Sequence, residues 1–186
     1  MDAAARPLDA RSDLVIDTYE LGRGAGRSML VRRTAEAPAD LGIEVIGVPQ
    51  GSPVEFDLRL ESVVEGVLVT GTAEVRLAGQ CVRCLVELTD TSVVDFQELY
   101  VYPGNEAGDA ETEDEIRHLE GDLLDLEPVL RDSVVLDLPF QPLCRPDCLG
   151  LCPDCGADLN EDPEHEHDAP IDPRWAGLGS WPHDEA

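Results

Sequence analysis

The sequence predicts an α+β fold: a mainly antiparallel β-sheet, open or barrel-like, with one principal helix and a C-terminal zinc-binding module. Three observations carry this expectation. Apolar and polar residues alternate through residues 54–77. Apolar residues recur at helical spacing once, after Asp122. Four cysteines then crowd into residues 144–156.

The strands come first. Val54, Phe56, Leu58 and Leu60 face one way and Glu55, Asp57, Arg59 and Glu61 the other, the period of a half-buried strand. Glu65-Gly66 supplies a turn. Val67, Val69, Ala73, Val75 and Leu77 then line one face of a second strand, with Gly71 in register, and the two form an antiparallel hairpin. A third extended stretch, LVELTDTSVVDFQELYVY, follows Cys84 and is rich in β-branched and aromatic residues. IEVIGV at 43–48 reads as a fourth strand and LVIDTY at 14–19 as a fifth. In residues 122–139, Leu123, Leu126, Leu130 and Val134 recur at helical spacing, with Asp125 as cap, Pro128 in the first turn and Pro139 as stop. These features predict a helix near 126–137, packed on the sheet.

Four segments result. Residues 1–40 form an N-terminal arm, 41–140 a β-rich core with an acidic loop at 104–121, 141–178 a Cys-rich module packed on that core, and 179–186 a tail. Trp175 and Leu178, in IDPRWAGL, are expected to pack over the module. Aromatics make up only 4 % of the chain, so the core must be built of Val and Leu.

Charge narrows the function. The chain of 186 residues has 40 acids and 13 bases, a net charge of −27, and every base is Arg. Such a surface argues against a nucleic-acid binder of the basic kind. No apolar run reaches the roughly 20 residues a bilayer requires, and residues 1–13 lack a secretory core, so a cytoplasmic protein is expected. One segment departs from the acidic trend. LGRGAGRSMLVRR, residues 21–33, holds Arg23, Arg27, Arg32 and Arg33 and no acid. It reads either as a local phosphate-binding patch or as a mobile arm whose arginines meet the protein's own acids.

The cysteines carry the strongest signal. In a reducing compartment, clustered thiols are first metal ligands or redox groups. Cys144, Cys148, Cys152 and Cys155 are spaced C-x3-C-x3-C-x2-C, and Gly156 lets the backbone turn behind the last of them. Cys81-Val-Arg-Cys84 is a second C-x2-C, placed where two strands should meet. Neither pair follows a strand and opens a helix, as a redox motif would. Zinc fits because it accepts tetrahedral thiolate coordination without redox chemistry of its own. The ligands divide in two ways. One site can take Cys144, Cys148, Cys152 and Cys155, leaving Cys81 and Cys84 unused. Alternatively, Cys81, Cys84, Cys144 and Cys148 form one site, and Cys152, Cys155, His165 and His167 a second. His165 and His167 also read simply as members of the exposed acidic run EDPEHEHD. Enzymatic motifs such as GxSxG, HExxH and the Walker sequence are missing, and a non-enzymatic protein without a small-molecule substrate is expected.

Taken together, Cys81-Val-Arg-Cys84-Leu85 after a hairpin, LDLPFQPLCRPDCLGLCPDCGADLN and IDPRWAGL resemble the YceD family of large ribosomal RNA subunit accumulation proteins. The likeness spans about residues 20–178, and the Arg-only composition is similar to versions from high-GC actinobacteria. The resemblance implies a ribosome biogenesis factor that supports 23S rRNA accumulation by binding the rRNA precursor or a pre-large-subunit particle. Arg23, Arg27, Arg32 and Arg33 are the candidate RNA contacts. An acidic, zinc-scaffolded adaptor for a basic ribosomal protein is the alternative, and a zinc reservoir ranks third.

Overall fold

The computed structural model describes residues 8–105, 116–167 and 174. Trp175, Leu178, the tail 179–186 and residues 106–115 of the acidic loop lie outside the described residues. In chain order the elements are β1 (Val15–Asp17), β2 (Ser28–Glu36), β3 (Leu41–Ile43), β4 (Ile46–Val48), β5 (Pro53–Ser62), β6 (Gly66–Gln80), β7 (Glu87–Val101), β8 (Arg117–His118), β9 (Leu123–Asp125) and α1 (Glu127–Asp137).

Strand β6 is the spine. Along one edge it pairs antiparallel with β5 and, further on, with β4; along the other it pairs with β7 over its whole length, from Gly66↔Val101 to Gln80↔Glu87. β2 extends the sheet beyond β5, β3 beyond β4, and β8 joins the end of β7 in parallel. β2 pairs only with β5 and β3 only with β4, so the sheet stays open and does not close into a barrel. β1 and β9 make a separate two-stranded ladder.

The predicted alternation sets the faces. Val54, Phe56, Leu58 and Leu60 of β5 and Val67, Val69, Ala73, Val75 and Leu77 of β6 all point into the core. Gly71 stands where β5 and β6 approach most closely; a Cβ there would lie 2.3 Å from the Asp57 carbonyl oxygen, so no other residue fits. Helix α1 packs against β7 and β3, burying Val129, Leu130 and Val134. Arg131 reaches from it to the carbonyls of Ala39 and Asp40, tying the helix to the turn before β3. Among the described residues, no helix is long and apolar enough to cross a membrane.

Four expectations need correction. The segment 1–40 is not an arm as far as it is described: β2 pairs with β5 over nine residues, and its inner face is the half-buried series Met29, Val31, Arg33 and Ala35. The single strand expected at 43–48 is a hairpin, β3–β4, turning at Glu44-Val45, because Gly42 and Gly47 allow the two backbones to meet. Leu123 belongs to β9, not to the helix, and Asp125 accepts from the Glu127 amide while Leu126 holds the capping position. The acidic loop ends in β8, where Arg117 bridges Glu98 of β7 and Asp132 of α1.

Leu130 is fully buried beneath the sheet. Leu130→Ala should therefore lower the unfolding free energy by about 2–5 kcal/mol, read from urea denaturation at constant metal content.

Candidate metal centre

The turn between β6 and β7 is a knuckle. The Cys81 amide donates to the Val86 carbonyl, and the Leu85 amide donates to the Cys81 carbonyl, each at 2.9 Å. This folds Cys81-Val-Arg-Cys84 so that both sulfurs face the same side. The same two bonds recur at the same offsets in the C-terminal segment, from Cys152 to the Ala157 carbonyl at 2.8 Å and from Gly156 to the Cys152 carbonyl at 2.9 Å. In both knuckles the amides two and three residues after the first cysteine point at its sulfur: Arg83 and Cys84 at Cys81, Asp154 and Cys155 at Cys152.

Two ligand groups result among the described residues. In the first, Cys81, Cys84, Cys144 and Cys148 bring their sulfurs within 4.8 Å of one another. Cys81 and Cys148 sulfurs are 3.8 Å apart and those of Cys84 and Cys144 3.6 Å. A disulfide would require about 2.05 Å. A tetrahedron of thiolates about 2.3 Å from a central ion has edges of roughly 3.8 Å, which is the separation present. In the second group, Cys152, Cys155, His165 and His167 converge. Both His Nε2 atoms lie 3.2 Å from the Cys155 sulfur and 2.9 Å from each other, with the rings edge to face. Two ring nitrogens aimed at one point beside two sulfurs suit a cation between them better than a hydrogen bond. The division into two groups of four follows the second of the two partitions allowed by the spacing.

The groups differ in setting. Cys81 and Cys148 have no exposed surface, and the first group joins the sheet to a segment 60 or more residues later. The second is local, drawn from residues 152–167, with Cys155 and His167 exposed. Electrostatics in the first group are unbalanced. Burial pushes the Cys81 thiol up, but the amides of Cys84, Cys144 and Arg83 outweigh it and bring the thiol down to about 6. Burial and the neighbouring thiols of Cys148 and Cys84 push Cys144 up to about 12. The Cys81 thiol is thus pushed down and the Cys144 thiol up, an imbalance that a bound dication would correct.

Two supporting residues had no visible signal in the sequence. Asn160 donates to the Cys148 sulfur at 3.6 Å while its carbonyl oxygen accepts from the Leu149 amide and from Arg145. Arg83 donates to the Cys148 carbonyl at 2.7 Å, and its own carbonyl accepts from the Leu151 amide. Arg83 acts on residues 65 and more positions later, which only the fold brings near, whereas Asn160 acts within its own segment, 11–15 residues back. Near the second group, Asp162 lies 3.7 Å from His165 Nδ1, placed to orient the ring through its other nitrogen.

The four arginines do not converge. Arg32 and Arg33 are consecutive in β2 and so project to opposite faces. Arg32 pairs with Asp57 on the outer face; Arg33 donates to the Val15 carbonyl and pairs with Asp13. Arg23 pairs with Asp122 and lies over the Tyr102 ring, and Arg27 is exposed in the loop before β2. Exposed pairs of this kind contribute only about 0–1 kcal/mol, so geometry rather than pairing strength keeps these charges apart.

Two outcomes check the metal geometry. Replacing Cys84 and Cys144 together by Ser, or His165 and His167 together by Ala, should each lower metal content from two ions per chain to one, measured by elemental analysis beside protein concentration. Asn160→Ala should weaken binding at the first group about 10–100-fold, measured by competition with a chelator, without changing the number of ions at saturation.

Comparison with known proteins agrees with the motifs. The family of the large ribosomal RNA subunit accumulation protein YceD matches residues 69–180, from near the start of β6 through both ligand groups. An uncharacterized protein of Mycobacterium tuberculosis is 44 % identical over 167 residues, covering 90 % of this chain and 80 % of its own. One from Mycobacterium leprae is 40 % identical over 167 residues, covering 90 % and 76 %. The uncharacterized protein YlbN of Bacillus subtilis is 26 % identical over 128 residues, covering 68 % and 73 %. No solved structure matches. With more than half of its length inside the family match, and with both C-x2-C knuckles within it, this chain belongs to the YceD family.

Proposed function

We propose that the chain is a non-enzymatic factor of large-subunit assembly that supports accumulation of 23S rRNA in the cytoplasm, in association with a pre-large-subunit particle. The family match over residues 69–180 is the observation that carries this reading. In this reading both ligand groups hold zinc, and the ions are structural. Four protein ligands around each leave no open position for a substrate or an activated water.

The mode of association has two forms. Direct contact with the rRNA precursor would use Arg23 and Arg27, in the loop ahead of β2, with Arg32 and Arg33 following on the strand. Contact with a basic ribosomal protein is the second form, and the net charge of −27 together with the dispersal of the arginines favours it.

Depletion of the protein should lower 23S relative to 16S rRNA, and the full chain should sediment with large-subunit precursors in a gentle lysate. Ribonuclease should release it if the contact is to RNA. An unchanged rRNA ratio, with the protein only at the top of the gradient, would overturn the reading. Changing Arg23, Arg27, Arg32 and Arg33 to Ala should reduce the salt dependence of association in the RNA form and leave it unaltered in the protein form.

A further inference from the structure

The two knuckles share their hydrogen bonds, and so they share a backbone requirement. The residue after the second cysteine must take a positive φ. At the C-terminal knuckle this is Gly156, at φ +76°. At the β6–β7 knuckle it is Leu85, at φ +61°. For a side chain with a Cβ the left-handed region is sterically disfavoured, a cost that Gly avoids. Burial does not compensate, because Leu85 is 57 % exposed. The knuckle accounts for the backbone, which Gly would adopt without strain, so the exposed Leu side chain itself is what calls for a cover.

The surroundings fit this. Leu85 and Val82 line one wall of a groove of about 380 Å³. Val45 and Ile46 at the β3–β4 hairpin and Ala78 at the end of β6 complete its apolar surface. Val82 and Val86 are 38 % and 49 % exposed, extending the apolar surface around the knuckle. The one carboxylate in the lining is Glu44, and no base lines it. The knuckle's own cation, Arg83, is turned to the Cys148 carbonyl.

We infer that Leu85 and this groove form a docking site for a basic protein segment that inserts an apolar side chain beside the first metal knuckle. The acidic chain attracts such a segment and repels RNA, and the apolar wall gives it an anchor. The inference rests on the assembly reading above, and specifically on its protein form. Leu85 would be a small hot spot, whose removal costs the complex about tenfold or more in affinity.

The test uses the full zinc-loaded chain with the photocrosslinker benzoylphenylalanine in place of Val86. The probes are the protein fraction of purified large ribosomal subunits freed from RNA and, separately, protein-free large-subunit rRNA. Crosslinks to a basic protein of the subunit are expected. They should fall about tenfold or more when Leu85→Gly or Leu85→Asn is added and return with Leu85→Met, while metal content and Tm are not reduced. Asn tolerates the left-handed backbone, so it changes the side chain without changing the knuckle. Crosslinks only to rRNA, only to the chain's own residues 168–186, or to proteins at an undiminished level in Leu85→Gly would overturn the docking site. If crosslinking fails while the unmodified chain still sediments with precursor particles, the docking site falls and the assembly reading stands. A chain that sediments free of all particles overturns the assembly reading itself.

Discussion

The C-terminal segment depends on one constraint: Cys81 and Cys84 stand at the tip of the longest hairpin in the molecule. Because β6 and β7 are paired over fifteen residues, that tip is held at a fixed place relative to the core. Cys144 and Cys148 follow α1, which is itself packed on β7 and β3. The two halves of the first ligand group are thus delivered by rigid elements. The segment beyond has little apolar material of its own, and its direct hydrogen bonds to the knuckle contribute only about 1 kcal/mol each. Zinc held by such a thiolate set would contribute on the order of 10 kcal/mol, well above a single hydrogen bond.

The second ligand group follows the first along the chain. It is local and partly exposed, and Asn160 lies between them, touching the Cys148 sulfur while its backbone amide donates to the Asp158 carboxylate in the same turn. The sheet's outer surface contributes differently. Arg32 of β2 pairs with Asp57 of β5 across it and Arg59 with Glu61 along β5, so these arginines form no concentrated positive field. What stands out near the first ligand group is instead an apolar surface at the knuckle, with Glu44 as the one carboxylate in its lining. Ions held by the two groups would act as staples, and the surfaces they position are what a partner would meet.

Much of this was legible in the chain. The alternation in β5 and β6 named the core residues correctly, because both strands are buried on one face only. The helix was visible through Leu126, Leu130 and Val134. The thiol pattern pointed to the six cysteines that the fold gathers into two groups, while the spacing left their partition open, since which cysteines meet is a property of the β6–β7 hairpin and α1 together. β2 was hidden because its inner face includes Arg33, whose guanidinium reaches the Val15 carbonyl instead of solvent. The split of 43–48 into a hairpin rests on close backbone approach at Gly42 and Gly47, which hydrophobicity does not report. Arg83 acts across the fold on Cys148, Asn160 acts through the turns of its own segment, and the strain at Leu85 exists only once φ is known.

The first ligand group, on this view, fastens the C-terminal segment to a sheet that is otherwise self-sufficient. Amide hydrogen exchange, read residue by residue before and after metal removal by a chelator, tests that division most directly. Residues 81–86 and 144–167 should lose protection on metal removal while β5, β6 and the paired length of β7 keep theirs. Unchanged protection in 144–167 after complete removal of metal would contradict it, as would simultaneous loss across the whole sheet.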